Sequence, residues 1–270
     1  MNLFPSAPAA RRALKWTLFF LAYAGLVGAI SEFLDIPQIG WGTEATGAFT
    51  LILGFLVAFR NNAAYSRWWE ARQLWGRLVN DSRNLALKAK HYVRPAQADC
   101  QELARLLVEF ARALRDHLQS PASSIHVPIV LTESVFAMLG RWLRDGLTDL
   151  QTFRSLDAHV LGLMEVCGGC ERIRNTPLPP SPSSLLKLAF AFYLLATPAF
   201  ILNEVGWWGL APLGLGVFLL LAVESAAEAM EEPFGTTGDD LNLNGICAVI
   251  ERSMHQILLG SQEKTADVAE

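Results

Sequence analysis

Four stretches of the chain carry no charge for long enough to enter a bilayer: residues 16–30, 45–59, 188–203 and 205–223. A spanning helix needs about 20 predominantly apolar residues. Two of the runs, 16–30 and 45–59, are short, so their helices are expected to border protein or water for part of their length. The third and fourth runs are split by Glu204 and the turn-like "NEVGWWG", which predicts a tight helical hairpin. Between the two pairs, apolar residues recur at helical spacing. Leu103, Leu107, Phe110, Leu114 and Leu118 form one stripe, Phe136, Leu139, Leu143, Leu147 and Leu150 a second, and Leu156, Val160, Leu163, Cys167 and Cys170 a third. No stretch alternates as a strand does. The pattern predicts an all-α chain: residues 1–64 with the first two transmembrane helices, a helical cytoplasmic domain over 65–182, the other two transmembrane helices over 183–230, and a cytoplasmic segment over 231–270.

Charge orients these elements. Arg11, Arg12, Lys15, Arg60, Arg67, Arg72 and Lys187 flank the spans on one side, and Glu32, Asp35, Glu44 and Glu204 on the other. Excess Lys and Arg marks the cytoplasmic side, so both termini and the middle block are placed in the cytoplasm. Trp16, Trp41, Trp207 and Trp208 fall near span ends, where indoles favour the interface. The basic residues ahead of the first run resemble a signal peptide. That run, however, ends in "SEFLDIP" without a small-x-small cleavage pattern, so it is read as a retained anchor.

Composition narrows the function. The chain of 270 residues is 52% hydrophobic and 18% charged, with a mean hydropathy of +0.28, between a soluble globule and a pure bundle of spans. A net charge of -4 argues against nucleic acid as a partner. Cys100, Cys167, Cys170 and Cys247 do not form a secreted disulfide framework and are read as reduced thiols. Cys167 and Cys170 make a C-x-x-C without the second ligand pair of a zinc site or a thioredoxin-like context, so helix packing accounts for them. His91, His117, His126, His159 and His255 are scattered, and neither a phosphate loop nor a nucleophile elbow is present. The sequence therefore predicts neither an enzyme nor a bound cofactor.

The stretch "LGFLVAFRNNAAYSRWWEARQLW", residues 53–75, runs from an apolar half straight into a charged one. Just ahead of and within it, Leu51, Phe55 and Phe59 stack on one helix face. Ordinary helix packing explains such a stripe. Were identical helices to surround a central axis, it would instead make successive apolar rings, and narrow apolar constrictions stop ions by dewetting. Phenylalanine rings accept anions at their edges and cations on their faces, so the ring type alone does not choose. The charges that follow, Arg67, Glu70 and Arg72, are either solvated or paired with "ESAAEAMEE", where Glu224, Glu228, Glu231 and Glu232 recur. In "EEPFGTTGDDLNLNGI", Asp239 and Asp240 fall short of the 6–8 oxygens a calcium ion takes and are expected to cap the next helix.

Three segments, "GFLVAFRNNAAYSRWWEARQLWGRLVNDSRNLA", "CERIRNTPLP" and "EEPFGTTGDDLNLNGICAVIE", occur in an order that resembles a bacterial bestrophin, and the resemblance runs from the first span to about His255. It implies a homopentameric channel for monovalent ions in the bacterial inner membrane, with four transmembrane helices per subunit around one axial pore. It places the apolar neck on Leu51, Phe55 and Phe59, and the cytoplasmic aperture on Leu178. Animal bestrophins are calcium-activated chloride channels. Asp240 falls on one ligand position of their calcium clasp, but Thr237 replaces the other, so a tight calcium site is not expected. The family implies chloride, whereas fivefold repetition of Glu32, Asp35, Glu44 and Glu204 would make an acidic outer mouth that concentrates cations. The expected partners are the lipid bilayer, monovalent ions and further copies of the chain. The alternative is a membrane-anchored scaffold or sensor whose cytoplasmic block binds a protein partner.

Overall fold

The computed structural model describes residues 7–34, 43–120, 125–178, 180–236 and 240–260. Every regular element among them is a helix: α1 (Ala7–Phe33), α2 (Thr43–Lys88), α3 (Gln97–Gln119), α4 (Val127–Arg144), α5 (Leu150–Asn175), α6 (Pro180–Val205), α7 (Leu210–Glu231) and α8 (Leu243–Met254). A π-helical turn, Ala89–Val93, follows α2, and a second, His255–Leu259, follows α8. The chain divides into two compact units. One holds Met1–Trp68 and Pro177–Glu232, and the other holds Trp69–Thr176, Pro233–Thr236 and Asp240–Glu270.

Among the described residues, four helices are long and apolar enough to cross a membrane, over Ala10–Phe33, Gly47–Val93, Ser184–Leu202 and Gly206–Glu231. Each extends beyond the charge-free run that marks it in the sequence. Hydropathy locates the apolar part of a helix, but backbone hydrogen bonding continues through Arg and Glu, both good helix formers. Phe20 and Ala24 of α1 pack on Leu213 and Val217 of α7. The expected hairpin is present: α6 and α7 are joined by a single 3₁₀ turn, Gly206–Gly209. Gly206 enters that turn at φ +69°, in the left-handed region that only glycine adopts without strain.

The second unit is built on buried side chains from five helices, including Trp75 and Leu78 of α2, Phe110 of α3, Trp142 of α4, Leu163 of α5 and Leu243 of α8. All five residues of the first sequence stripe are buried in α3, and all five of the third in α5. The second stripe is corrected. In α4 the buried face is Val135, Met138, Leu139 and Trp142, whereas Leu147 is 45% exposed and Leu150 55%. The stripe fails because α4 stops at Arg144. Leu147 N donates to Trp142 O at 2.9 Å and Gly146 N to Leu143 O at 3.3 Å. That 6→1, 5→2 pair closes the helix with Gly146 at φ +71°.

The expected cap is also corrected. Asn242, not Asp239 or Asp240, caps α8, its Oδ1 accepting from Gly245 N at 2.8 Å. The chain is still turning at Asp240: Leu241 N donates to Pro233 O at 3.0 Å, folding the segment back on the Pro-Phe-Gly break before the helix begins.

Trp142 is fully buried, and its indole donates to Asp99 Oδ2 at 2.7 Å. Trp142→Ala is expected to destabilise the second unit by roughly 3–5 kcal/mol, the usual cost of truncating a buried large aromatic. Denaturant unfolding followed by tryptophan fluorescence and circular dichroism would measure it.

Candidate functional site

α2 is one unbroken helix of 46 residues. At 1.5 Å per residue it is roughly 70 Å long, more than twice the ~30 Å of a bilayer's hydrocarbon core. The sequence Phe55–Trp75 contains neither Gly nor Pro, so nothing interrupts the backbone ladder where the composition changes from apolar to charged.

In its apolar half, α2 touches the rest of its unit along a narrow seam. Leu53 is 2% exposed and packs with Leu186 and Phe190 of α6, with half-buried Val57 alongside. Leu51, Phe55 and Phe59 are 61%, 59% and 71% exposed. At about 100° per residue, their stripe lies roughly 170° round the helix from the seam formed by Leu53, Val57 and Arg60. Buried residues make up 11% of the most apolar window of α2, against 28%, 22% and 22% in the other three membrane-length helices. Among the four, α2 is the one its own chain covers least.

The apolar half ends on an ion cluster. The Arg60 side chain is 9% exposed, and its guanidinium pairs with Glu224 of α7 and, at 2.8 Å, with Glu231 of the same helix. Arg67, two turns further along α2, donates from Nε to the backbone carbonyl of Glu231 at 2.7 Å. Of the two fates open to the charges of this segment, pairing therefore holds for Arg60 and Arg67 against α7. Glu70 pairs instead with Arg172 of α5, in an exposed contact of little energetic weight. Glu228 meets Lys187 at 3.2 Å and Arg12 at 3.8 Å, also near the surface.

Leu178 is half-buried and follows the end of α5. Glu32 is exposed near the end of α1. Asp35 and the side chains of Glu44 and Glu204 lie outside the described residues. Asp240 is half-buried, with its carboxylate against Gly235, where an added Cβ would come within 2.6 Å of Oδ2. No three-ligand grouping of His, Cys, Asp and Glu among the described residues includes Asp240. Cys167 and Cys170 are buried, unlinked thiols. Burial, reinforced by the charge of Glu171, pushes Cys167 up to about 12, and burial raises Cys170 too, which leaves both poor nucleophiles and poor ligands.

One grouping runs against the expectation of scattered histidines. His117 and His126 both turn Nε2 toward Oε1 of Glu171, at 2.8 and 2.6 Å. Burial alone would raise the Glu171 carboxyl. The hydrogen bonds from the two imidazoles outweigh that and hold it below its ordinary value. Glu171 lies 45 positions from His126 and 54 from His117 in the chain, so no local spacing signals the three.

Removing Arg60 would leave two carboxylates facing one another at the foot of the apolar half. Breaking a buried pair from one side costs roughly 3–5 kcal/mol. Arg60→Ala is expected to lower thermal stability in detergent accordingly, with partial recovery when Glu224→Gln is added, because one of the stranded charges is then gone. Static light-scattering or fluorescence melts would read both effects.

The family model described as "Bacterial/Fungal Bestrophin protein" matches residues 9–125 and 119–256. A voltage-dependent anion channel-forming protein of Ralstonia nicotianae is 34% identical over 92% of this chain and 94% of its own length. The protein of that description called YneE, from Escherichia coli K12, is 31% identical over 82% of this chain and 81% of its own. Among solved structures, a point mutant of a bacterial bestrophin homologue from Klebsiella pneumoniae superposes with a TM-score of 0.80 at 25% identity, over 92% of this chain and 98% of that one. The order of the three sequence segments, the four membrane-length helices and this match over most of the chain agree: the protein belongs to the bacterial and fungal bestrophin family.

Proposed function

We propose that the protein is a homopentameric channel that passes small monovalent anions across the bacterial inner membrane, both termini and residues 65–182 lying on the cytoplasmic side. The observation that carries this reading is the bare face of α2. Leu51, Phe55 and Phe59 lie opposite the seam that fixes α2 to its own chain, so the stripe is free to line an axis shared by five copies. Three stacked apolar rings form a neck in which water is held weakly, and an ion crosses it only by shedding part of its hydration. The edges of Phe55 and Phe59 carry partial positive charge, which suits a weakly hydrated anion such as chloride. The relatives described as voltage-dependent anion channel-forming proteins support the same choice over cations. Leu178 supplies a second apolar ring at the cytoplasmic exit. Glu32, Asp35, Glu44 and Glu204 ring the outer mouth, where their charge lowers the local anion concentration and reduces conductance without setting selectivity at the neck.

Purified protein in planar bilayers under asymmetric sodium chloride is expected to give a reversal potential of the sign set by chloride. The opposite sign would assign the conductance to sodium, and no flux at all would favour the anchored scaffold or sensor. The triple variant Leu51→Ala/Phe55→Ala/Phe59→Ala is expected to raise single-channel conductance by roughly severalfold, since widening and wetting the neck removes its dewetting barrier. Unchanged conductance and selectivity would remove the neck from these residues.

A further inference from the structure

Among the described residues, three side chains able to bind a metal converge: His117 in the last turn of α3, His126 at the N-cap of α4, and Glu171 in α5. Their candidate ligand atoms lie within 4.8 Å of one another, all three residues are half-buried, and the two imidazole centroids are 4.6 Å apart. We propose that His117 Nε2, His126 Nε2 and a Glu171 carboxylate oxygen form a site for a zinc-class divalent cation, which would tie α3, α4 and α5 together.

The donor set selects the metal. Two imidazoles and one carboxylate suit zinc and its borderline neighbours, whereas calcium and magnesium prefer all-oxygen shells. Glu171 is free to serve, because the nearby cation Arg174 is engaged elsewhere: its guanidinium donates to the backbone carbonyls of His117 and Ser120. An approach also exists. His117 lines a hollow of about 460 Å³ bordered by Arg112, Asp116 and Pro128, from which water can supply the fourth ligand.

The adjustment required is small. With metal–ligand bonds of roughly 2.0–2.2 Å, tetrahedral ligand atoms sit roughly 3.4 Å apart, so the present contacts of 2.8 and 2.6 Å must open by under about 1 Å. Each Nε2 must also give up the proton it now donates to Glu171, either to Nδ1 or to solvent. At His126 that move displaces one cap bond, since Nδ1 accepts from Ile129 N at 3.3 Å. The amide is not orphaned, because it also donates to the His126 carbonyl at 3.0 Å.

The test uses the full chain in detergent, stripped with a chelator, dialysed against micromolar zinc chloride and analysed by mass spectrometry of the metal. About one zinc per chain is expected, and cobalt(II) in its place should give the intense visible bands of a tetrahedral site. His126→Gln and Glu171→Gln should each weaken zinc binding roughly tenfold or more and abolish the zinc-induced rise in melting temperature. His91→Ala, which alters an exposed histidine outside the cluster, should bind as the parent does. Zinc content no higher in the parent than in Glu171→Gln, or an equal loss in His91→Ala, would overturn the proposal and leave a hydrogen-bonded His–Glu–His strap. Metal content is read without any ion flux, so the outcome is independent of the channel reading.

Discussion

Arg60 fixes where the apolar half of α2 can end. A guanidinium 9% exposed at the end of an apolar stretch must be paired or wet, since desolvating it alone costs several kcal/mol. Here Glu224 and Glu231, seven residues apart on α7, supply the pairing, and Arg67 adds a bond to the Glu231 carbonyl. The Glu231 carbonyl belongs to the last residue of α7, where helix carbonyls lack intrahelical partners. One cluster thus neutralises a buried charge, satisfies a helix terminus and sets the register of α2 against α7. Neighbouring pairs around Glu228 are exposed and contribute little by comparison.

With that register set, the exposure of Leu51, Phe55 and Phe59 follows from helix geometry. Arg60 and Leu53 occupy the seam, so residues half a turn away face outward from the chain. In a lipid environment there is no hydrophobic penalty for such exposure, and association there rests on packing and on satisfying polar groups. A bare apolar stripe is therefore permitted in a single chain without being used up by it. The same stripe on a soluble helix would be an aggregation hazard.

Much of this architecture is legible in the sequence, and the failures are physically specific. The α3 and α5 stripes are visible because their helices stay regular over every position counted. The α4 stripe misleads because the helix closes at Gly146, and a glycine three residues before Asp149 gives no indication of which side of it the helix lies on. Asp239 and Asp240 look like caps, but a cap is defined by where the backbone starts to coil, and the return bond from Leu241 to Pro233 delays that start to Asn242. Arg60 is legible as a boundary residue, although its partner Glu231 lies 171 positions away. The His117–His126–Glu171 grouping is the least legible, since it depends on three helices meeting and on no local spacing.

The continuity of α2 also bears on time. A helix without Gly or Pro between Phe55 and Trp75 has no hinge there. In the channel proposed above, the part of the neck formed by Phe55 and Phe59 would then vary in width on two clocks. Exposed side chains hop between rotamers in picoseconds to nanoseconds, and whole helices shift in microseconds to milliseconds. Nothing in this stretch of backbone supplies an intermediate motion. In that reading, current noise from the Phe55 and Phe59 side chains would average out within any recording bandwidth, and a resolvable step in the current would mark a displacement of the helix itself.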